Sequence, residues 1–307
     1  MPMRRPLLTA LLVLFVAAAT PALAQQHTWS GVERIVAVGD LHGDCDAFVK
    51  TLRAAKVIDE KENWIAGKAH LVQVGDVLDR APDSRKAMDL LIKLEEQAAK
   101  AGGHVHALIG NHEAMVLLGD WNYVHPGEIK AFGSRDAYEK AMGPKGKYGK
   151  WIRGHNAIIK INDTLFLHAG LKATHAATPR GKLNAAVREH LRKGGQAGLA
   201  ADPSGPLWYR GNVYRTGEEL EADIAAATKA HGVKRIVIGH TVSREGITAR
   251  AGGRVILIDI GISDYYRAYG GRAGCLVIEK GELYELYPGK KRKKLAIPPP
   301  EREAAGD

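Results

Sequence analysis

Asp40 and His42 stand two residues apart in Gly39-Asp40-Leu41-His42-Gly43. At a strand end that spacing lets both side chains project to one side and chelate one ion. Asp76, in Gly75-Asp76-Val77-Leu78-Asp79-Arg80, has two carboxylate oxygens and can bridge to a second ion. Asn111 in Gly110-Asn111-His112-Glu113, His168 in His168-Ala169-Gly170 and His240 in Gly239-His240-Thr241 can complete that second sphere. They offer one carbonyl oxygen and two imidazoles. Two divalent ions about 3.5–4 Å apart hold a bridging hydroxide and clamp the attacking and leaving oxygens of an in-line displacement. Ligation by nitrogen and oxygen without thiolate suits manganese, iron or zinc alike. Any one of these motifs could be an ordinary turn. Five of them, each at the end of an expected strand, point to a hydrolytic metal centre.

Residues so far apart need a scaffold that returns to one edge. The sequence reads as alternating strands and helices. A buried-strand run at 33–38 leads to Gly39-Asp40 and a helix at 45–57; a strand at 71–74 leads to Gly75-Asp76 and an amphipathic helix over Ser84–Lys100. A third strand at 105–109 leads to Gly110-Asn111 and a helix at 112–118. In open α/β sheets ligands bind beyond the carboxyl ends of the strands, where these residues fall. The Gly-, Lys- and aromatic-rich segment 121–150 is expected as irregular helices over the site. A hairpin follows at 157–161 and 165–167, turning at Asn162-Asp163. Helices are expected at 181–201 and 218–231, and a strand at Arg235–Ile238 ends at Gly239-His240. Runs at 255–258 and 276–279 read as strands of a second sheet, with 283–287 pairing to the latter. No repeat and no linker interrupts the chain before Pro288, so one domain is expected.

Composition agrees with an enzyme-sized globular chain. Of 307 residues, 45% are hydrophobic and 25% charged, which excludes a wholly disordered or collagen-like protein. Such a length buries a core without needing disulfides or a structural metal. Two cysteines exclude a cysteine-based zinc module. Arg4 and Arg5, a 13-residue apolar run from Leu7 to Ala19 and the small-x-small triplet Ala22-Leu23-Ala24 have the makings of a cleaved signal peptide over 1–24. The run is shorter than the ~20 residues a spanning helix requires, so export to the periplasm or beyond is expected. Losing two arginines and no acid takes the formal charge from +10 to +8, which suits nucleic acid, an anionic surface or a phosphorylated substrate. The catalytic domain is expected over 25–288, and the basic, proline-containing segment 289–307 as a solvated, disordered tail.

In this order the motifs resemble the phosphoprotein phosphatase family of calcineurin-like metallophosphoesterases, over about residues 34–279. The resemblance implies an α/β fold in which a β-sandwich of two mixed sheets is flanked by helices in a single domain. It implies Asp40 and His42 on a first metal, Asp76 bridging, and Asn111, His168 and His240 on a second, with manganese foremost among the candidate ions. His112 becomes the general acid, oriented by Asp79. Arg80, Arg210 in Leu207-Trp208-Tyr209-Arg210-Gly211 and Asn111 become the phosphate-binding residues; a planar guanidinium holds phosphate oxygens in pairs. The partner is then a phosphorylated protein or peptide, not a specific nucleic acid.

Three departures matter. Ala81 follows Arg80 where the eukaryotic enzymes have Gly, and His168-Ala169-Gly170 replaces their His-Gly-Gly. Asp259-Ile260-Gly261-Ile262-Ser263 stands where their Ser-Ala-Pro-Asn-Tyr-Cys loop would be. These features are similar to the bacterial, Shewanella-like branch, in which phosphoserine/threonine and phosphotyrosine specificities both occur. Tyr265, Tyr266 and Tyr269 are candidates for a tyrosine contact to phosphate. A symmetrical dinucleotide-polyphosphate hydrolase shares the fold and most ligands, but typically carries Asp where Glu113 stands. A non-catalytic binder of anionic polymers through Lys290–Lys294 is a third reading, opposed by the intact ligand set. Glu113, in a first helical turn, is expected to be structural. His104 and His106 are expected on the polar face of a strand. Cys45 and Cys275 could pair outside the cell or simply be buried.

Overall fold

A computed structural model describes residues 26–299, so the expected signal peptide lies outside the described residues. After a short β1 (Thr28–Trp29), the chain runs β2 (Arg34–Val38), α1 (Cys45–Ala54), β3 (His70–Gln73), α2 (Ser84–Lys100), β4 (His104–Ala107) and α3 (Asn111–Leu117). Strands β2, β3 and β4 are parallel and adjacent. Helices α4 (Pro126–Phe132), α5 (Arg135–Met142) and α6 (Lys147–Arg153) follow, then β5 (Ile158–Ile161) and β6 (Thr164–Leu167) as an antiparallel hairpin. Next come α7 (Ala173–Ala176), α8 (Arg180–Lys193), α9 (Gly211–Tyr214), α10 (Gly217–His231), β7 (Arg235–Ile238), β8 (Thr248–Arg250) and β9 (Val255–Leu257). The last strands are β10 (Cys275–Glu279), β11 (Glu282–Leu286) and β12 (Lys293–Lys294).

Two six-stranded mixed sheets result, ordered β1-β5-β6-β7-β9-β8 and β12-β11-β10-β2-β3-β4. Central strands are buried on both faces, which is why they read as unbroken apolar runs rather than alternating ones. Ile35, Ala37, Val72 and Val74 meet Ile159, Phe166, Val237 and Ile256 between the sheets. The alternate residues Val36, Val38 and Leu71 face outward onto helical side chains such as Phe48, Leu52, Leu91 and Leu94. Among the described residues no helix is long and apolar enough to cross a membrane.

Several expectations need correction. Residues 255–258 and 276–279 do not share a sheet. The former joins β7 in parallel, whereas β10 lies antiparallel to β2 in the other sheet; periodicity reports burial, not which neighbour supplies it. Helices α4–α6 do not cover the site but lean on α2, where Ser84 N donates to Glu128, and Tyr148 and Trp151 donate to Asp89 and Glu95. His106 is buried rather than on a polar face, its Nε2 lying 3.0 Å from His70 Nδ1 under Trp29; His104 is exposed. Cys45 and Cys275 are both buried and free, and burial pushes each thiol up to about 12. The basic segment is not a free tail where it is described. Lys293 and Lys294 pair with β11 opposite Glu285 and Tyr284, their side chains reach Glu285 and Glu282, and Leu295 is buried between the sheets.

That last correction can be measured. Leu295 is 6% exposed, so Leu295→Ala should lower the unfolding free energy by about 2–3 kcal/mol. Lys294→Ala, which removes only an exposed ion pair, should cost less than about 1 kcal/mol. Urea unfolding of both variants checks this; equal and negligible losses would return the segment to a passive tail.

Candidate metal centre

The polar residues singled out by the sequence leave the carboxyl ends of β2, β3, β4, β6 and β7, parallel strands of the two facing sheets. The loops turn sharply there. His42, Asp76, Asp79, Arg80 and His240 all have left-handed backbones, with φ of 44°, 57°, 73°, 68° and 65°. Residues with a Cβ seldom adopt that region, and each such conformation must be held by its surroundings. Gly75 shows how closely the loops approach: with φ of 105°, it would place a Cβ 2.6 Å from Gly110 Cα and 2.9 Å from His168 Nδ1.

Asp76 is the centre of the cluster. Its Oδ1 lies 3.3 Å from His168 Nε2, and that nitrogen is 2.8 Å from Asn111 Oδ1 and 3.2 Å from His240 Nδ1. Its Oδ2 lies 3.7 Å from His42 Nε2 and 3.9 Å from His112 Nε2. Ligand atoms of Asp76, His168 and His240 are within 4.8 Å of one another, as are those of His42, Asp76 and His112. Asp40, also buried, accepts the His240 N–H on both oxygens at 3.1 and 3.0 Å. Burial, reinforced by His168, pushes His240 down to about 2; burial likewise pushes His42 down to about 3. Burial raises Asp40 well above the usual carboxylate range, with Asp259 and Asp76 adding to it. Burial acts the same way on Asp76, yet the imidazoles of His168, His112 and His42 hold it well below that range. His240 Nε2 is buried with no hydrogen-bond partner among the described residues. Neutral imidazoles, crowded carboxylates and an orphaned ring nitrogen fit divalent cations.

Beside the cluster opens a cavity of about 270 Å3, with His42, Asp76, Arg80, His112, Arg210 and His240 in its lining. A larger cavity, about 420 Å3 beside Gly217 and Arg254, contains none of these groups. His112 Nδ1 sits 2.6 Å from Asp79 Oδ2, and its Nε2 lies 3.4 Å from Arg80 Nη2. Burial opposes protonation of His112, but Asp76 and the Asp79 bond outweigh it and raise the group. The Arg80 guanidinium lies 4.9 Å over the Tyr123 ring and 5.2 Å over Tyr265. Arg210 Nη1 donates to His240 O and to Thr241 Oγ1, each at 2.7 Å. Of the three tyrosine candidates, Tyr266 lines the cavity, Tyr265 stands half-exposed over Arg80, and Tyr269 lies outside the lining. Tyr123, from the aromatic-rich segment expected over the site, Trp208, quoted within the Arg210 motif, and Asp120 also line it; none was given a role, and they occupy irregular loops with no periodicity to mark them. Asp259 was quoted but given no role. It follows β9 with a Gly two residues later, the pattern of His168-Ala169-Gly170.

Glu113 holds these loops in register. Its Oε2 accepts from Asp76 N at 2.7 Å and Gly110 N at 2.8 Å; its Oε1 accepts from Val77 N at 2.8 Å and Leu78 N at 3.2 Å. In return, Asp76 Oδ1 accepts from His112 N at 2.9 Å.

Comparison with known proteins places this geometry. A family model described as calcineurin-like phosphoesterase matches residues 33–244. Shewanella-like protein phosphatase 2 of Arabidopsis thaliana is 30% identical, over 75% of this chain and 72% of its own. Shewanella-like protein phosphatase 1 of Plasmodium berghei is 32% identical, over 76% of this chain and 68% of its own. The structure of a cold-active protein-tyrosine phosphatase from a psychrophilic Shewanella species matches with a TM-score of 0.78 at 32% identity, covering 90% of this chain and 85% of its own.

Glu113→Gln tests the clamp. An amide keeps one oxygen and turns an NH2 toward N–H donors, so stability should fall by about 2–4 kcal/mol and metal should be lost more readily to a chelator. Thermal unfolding and chelator competition check this; unchanged values in both would remove Glu113 from the scaffold of the site.

Proposed function

The chain belongs to the calcineurin-like phosphoesterase family, with Shewanella-like protein phosphatases among its relatives, and from that premise we propose an exported dinuclear-metal phosphatase acting on phosphorylated proteins. The observation that carries this reading is His112, bonded to Asp79 at 2.6 Å and turned toward Arg80 at the mouth of the metal-ligand cluster. That pairing sets a proton donor beside a phosphate clamp.

Asp40, His42, Asp76, Asn111, His168 and His240 would hold two ions, manganese first among manganese, iron and zinc. When bound, the ions supply Lewis-acid polarisation of the phosphoryl group and an activated water. The residues do the rest. Arg80 and Arg210 grip the non-bridging oxygens with planar forks, and Arg210 is aimed by its bonds to His240 O and Thr241. Asp79 fixes the imidazole so that Nε2 delivers its proton to the departing oxygen. Tyr123, Tyr265 and Trp208 at the rim give an aromatic leaving group something to stack on, which favours phosphotyrosine beside phosphoserine and phosphothreonine. Export rests on the composition of residues 4–24; a secreted product beginning at Gln25 would support it.

Phosphopeptides and diadenosine tetraphosphate assayed side by side test the substrate class, and exclusive turnover of the dinucleotide would overturn it. The acid is tested through the leaving group. A serine alkoxide needs a proton to depart, whereas nitrophenolate does not. His112→Asn should therefore slow phosphoserine-peptide hydrolysis by about 10²–10⁴-fold and nitrophenyl phosphate far less, with metal content retained. Asp79→Asn should show the same pattern more mildly. Equal losses on both substrates at full metal occupancy would take the acid role from His112.

A further inference from the structure

Asp259 enters the cluster from β9 much as Asp40 enters from β2. It is 1% exposed, and its Oδ1 accepts from Gly261 N at 3.0 Å. Its Oδ2 is buried with no hydrogen-bond partner among the described residues, and its backbone packs against Gly39, the residue before Asp40. The main chain leaves it no room to withdraw. Asp259 O accepts from Ser243 N at 2.8 Å, Ile258 N donates to Ile238 O at 2.9 Å, and a Cβ on Gly39 would stand 2.9 Å from Asp259 Cα. Asp40, for its part, has its oxygens on the single N–H of His240. A carboxylate oxygen is thus left unfilled in a dry interior beside the Asp40 loop, where a buried charge without a partner is costly.

We propose that Asp259 is a positioning residue of the first-ion site: its carboxylate backs Asp40 and adds the negative charge that draws in and holds the cation facing Asp40, His42 and Asp76. The inference rests on the metal-centre reading and not on the substrate. The cost of that unfilled carboxylate weighs on the ion-free protein and is relieved when a divalent cation binds, so Asp259 converts folded-state strain into ion affinity. Partners placed behind metal ligands typically change affinity by about 10–100-fold.

The test is Asp259→Asn in the full mature chain, read by Mn2+ titration against a chelating dye and by thermal unfolding. One of the two ions should bind about 10–100-fold more weakly while the other is unchanged. With chelator present the variant should melt above the wild type, and with Mn2+ below it. Asp259→Ser, which removes the charge and leaves room for water, carries the test if the amide does not fold. A residue needed only for the scaffold would lower both melting temperatures and leave the isotherm unchanged. That result overturns the inference, and so does equal weakening of both ions. If the wild type bound no divalent ion, the metal-centre reading would fail and this inference with it; two bound ions without phosphoprotein turnover would fail the proposed function alone.

Discussion

Four backbone N–H groups from two different strand ends converge on the carboxylate of Glu113. Everything else at the site depends on that convergence. It ties the loop after β3 to the first turn of α3, so Asp76, the residue nearest to all the imidazoles, cannot move independently of Asn111 and His112. Burying a carboxylate is expensive unless its lone pairs are filled, and here the filling groups belong to the loops that need holding. An acid at a helix start also lies where the helix dipole favours negative charge. One side chain therefore satisfies orphaned amides, offsets its own burial and sets the spacing of the ligands.

The clamp matters because the loops are strained. Five residues of the site carry left-handed backbones, and an isolated loop would relax out of them. What resists relaxation is the pair of sheets beneath. Their strands are fixed from both faces, by the other sheet on one side and by helices on the other. Rigid strands deliver short loops to one rim, and the loops have little freedom left to lose when a ligand arrives.

Much of this was legible in the sequence, because strand ends carry it. A buried strand followed by Gly and a polar residue is both a structural signal and a chemical one, and it located Asp40, Asp76, Asn111 and His240; His168 was marked by a polar residue directly at the strand end with Gly two places on. Sheet membership was less legible. Residues 276–279 look like any buried strand, and only pairing across more than two hundred residues puts β10 beside β2. Tyr123 was invisible for another reason. Its place is set by Arg80 N donating to its main-chain oxygen at 2.9 Å, a bond that needs no particular side chain. The segment near residue 290 is solvated as its charge density suggests, but it is ordered rather than free, because its charges have acidic partners on β10 and β11 and Leu295 follows as an anchor.

That basic strand has a bearing on how the molecule behaves in company. β12 closes one edge of its sheet with two residues whose side chains are exposed lysines, following Lys290, Lys291 and Arg292. An open edge is a row of unused amides and carbonyls on which another chain can grow. Three of these cations are paired with Glu279, Glu285 and Glu282, and two residues offer a second molecule almost no ladder to extend. The short, lysine-bearing strand thus makes this edge a poor template for extending the sheet.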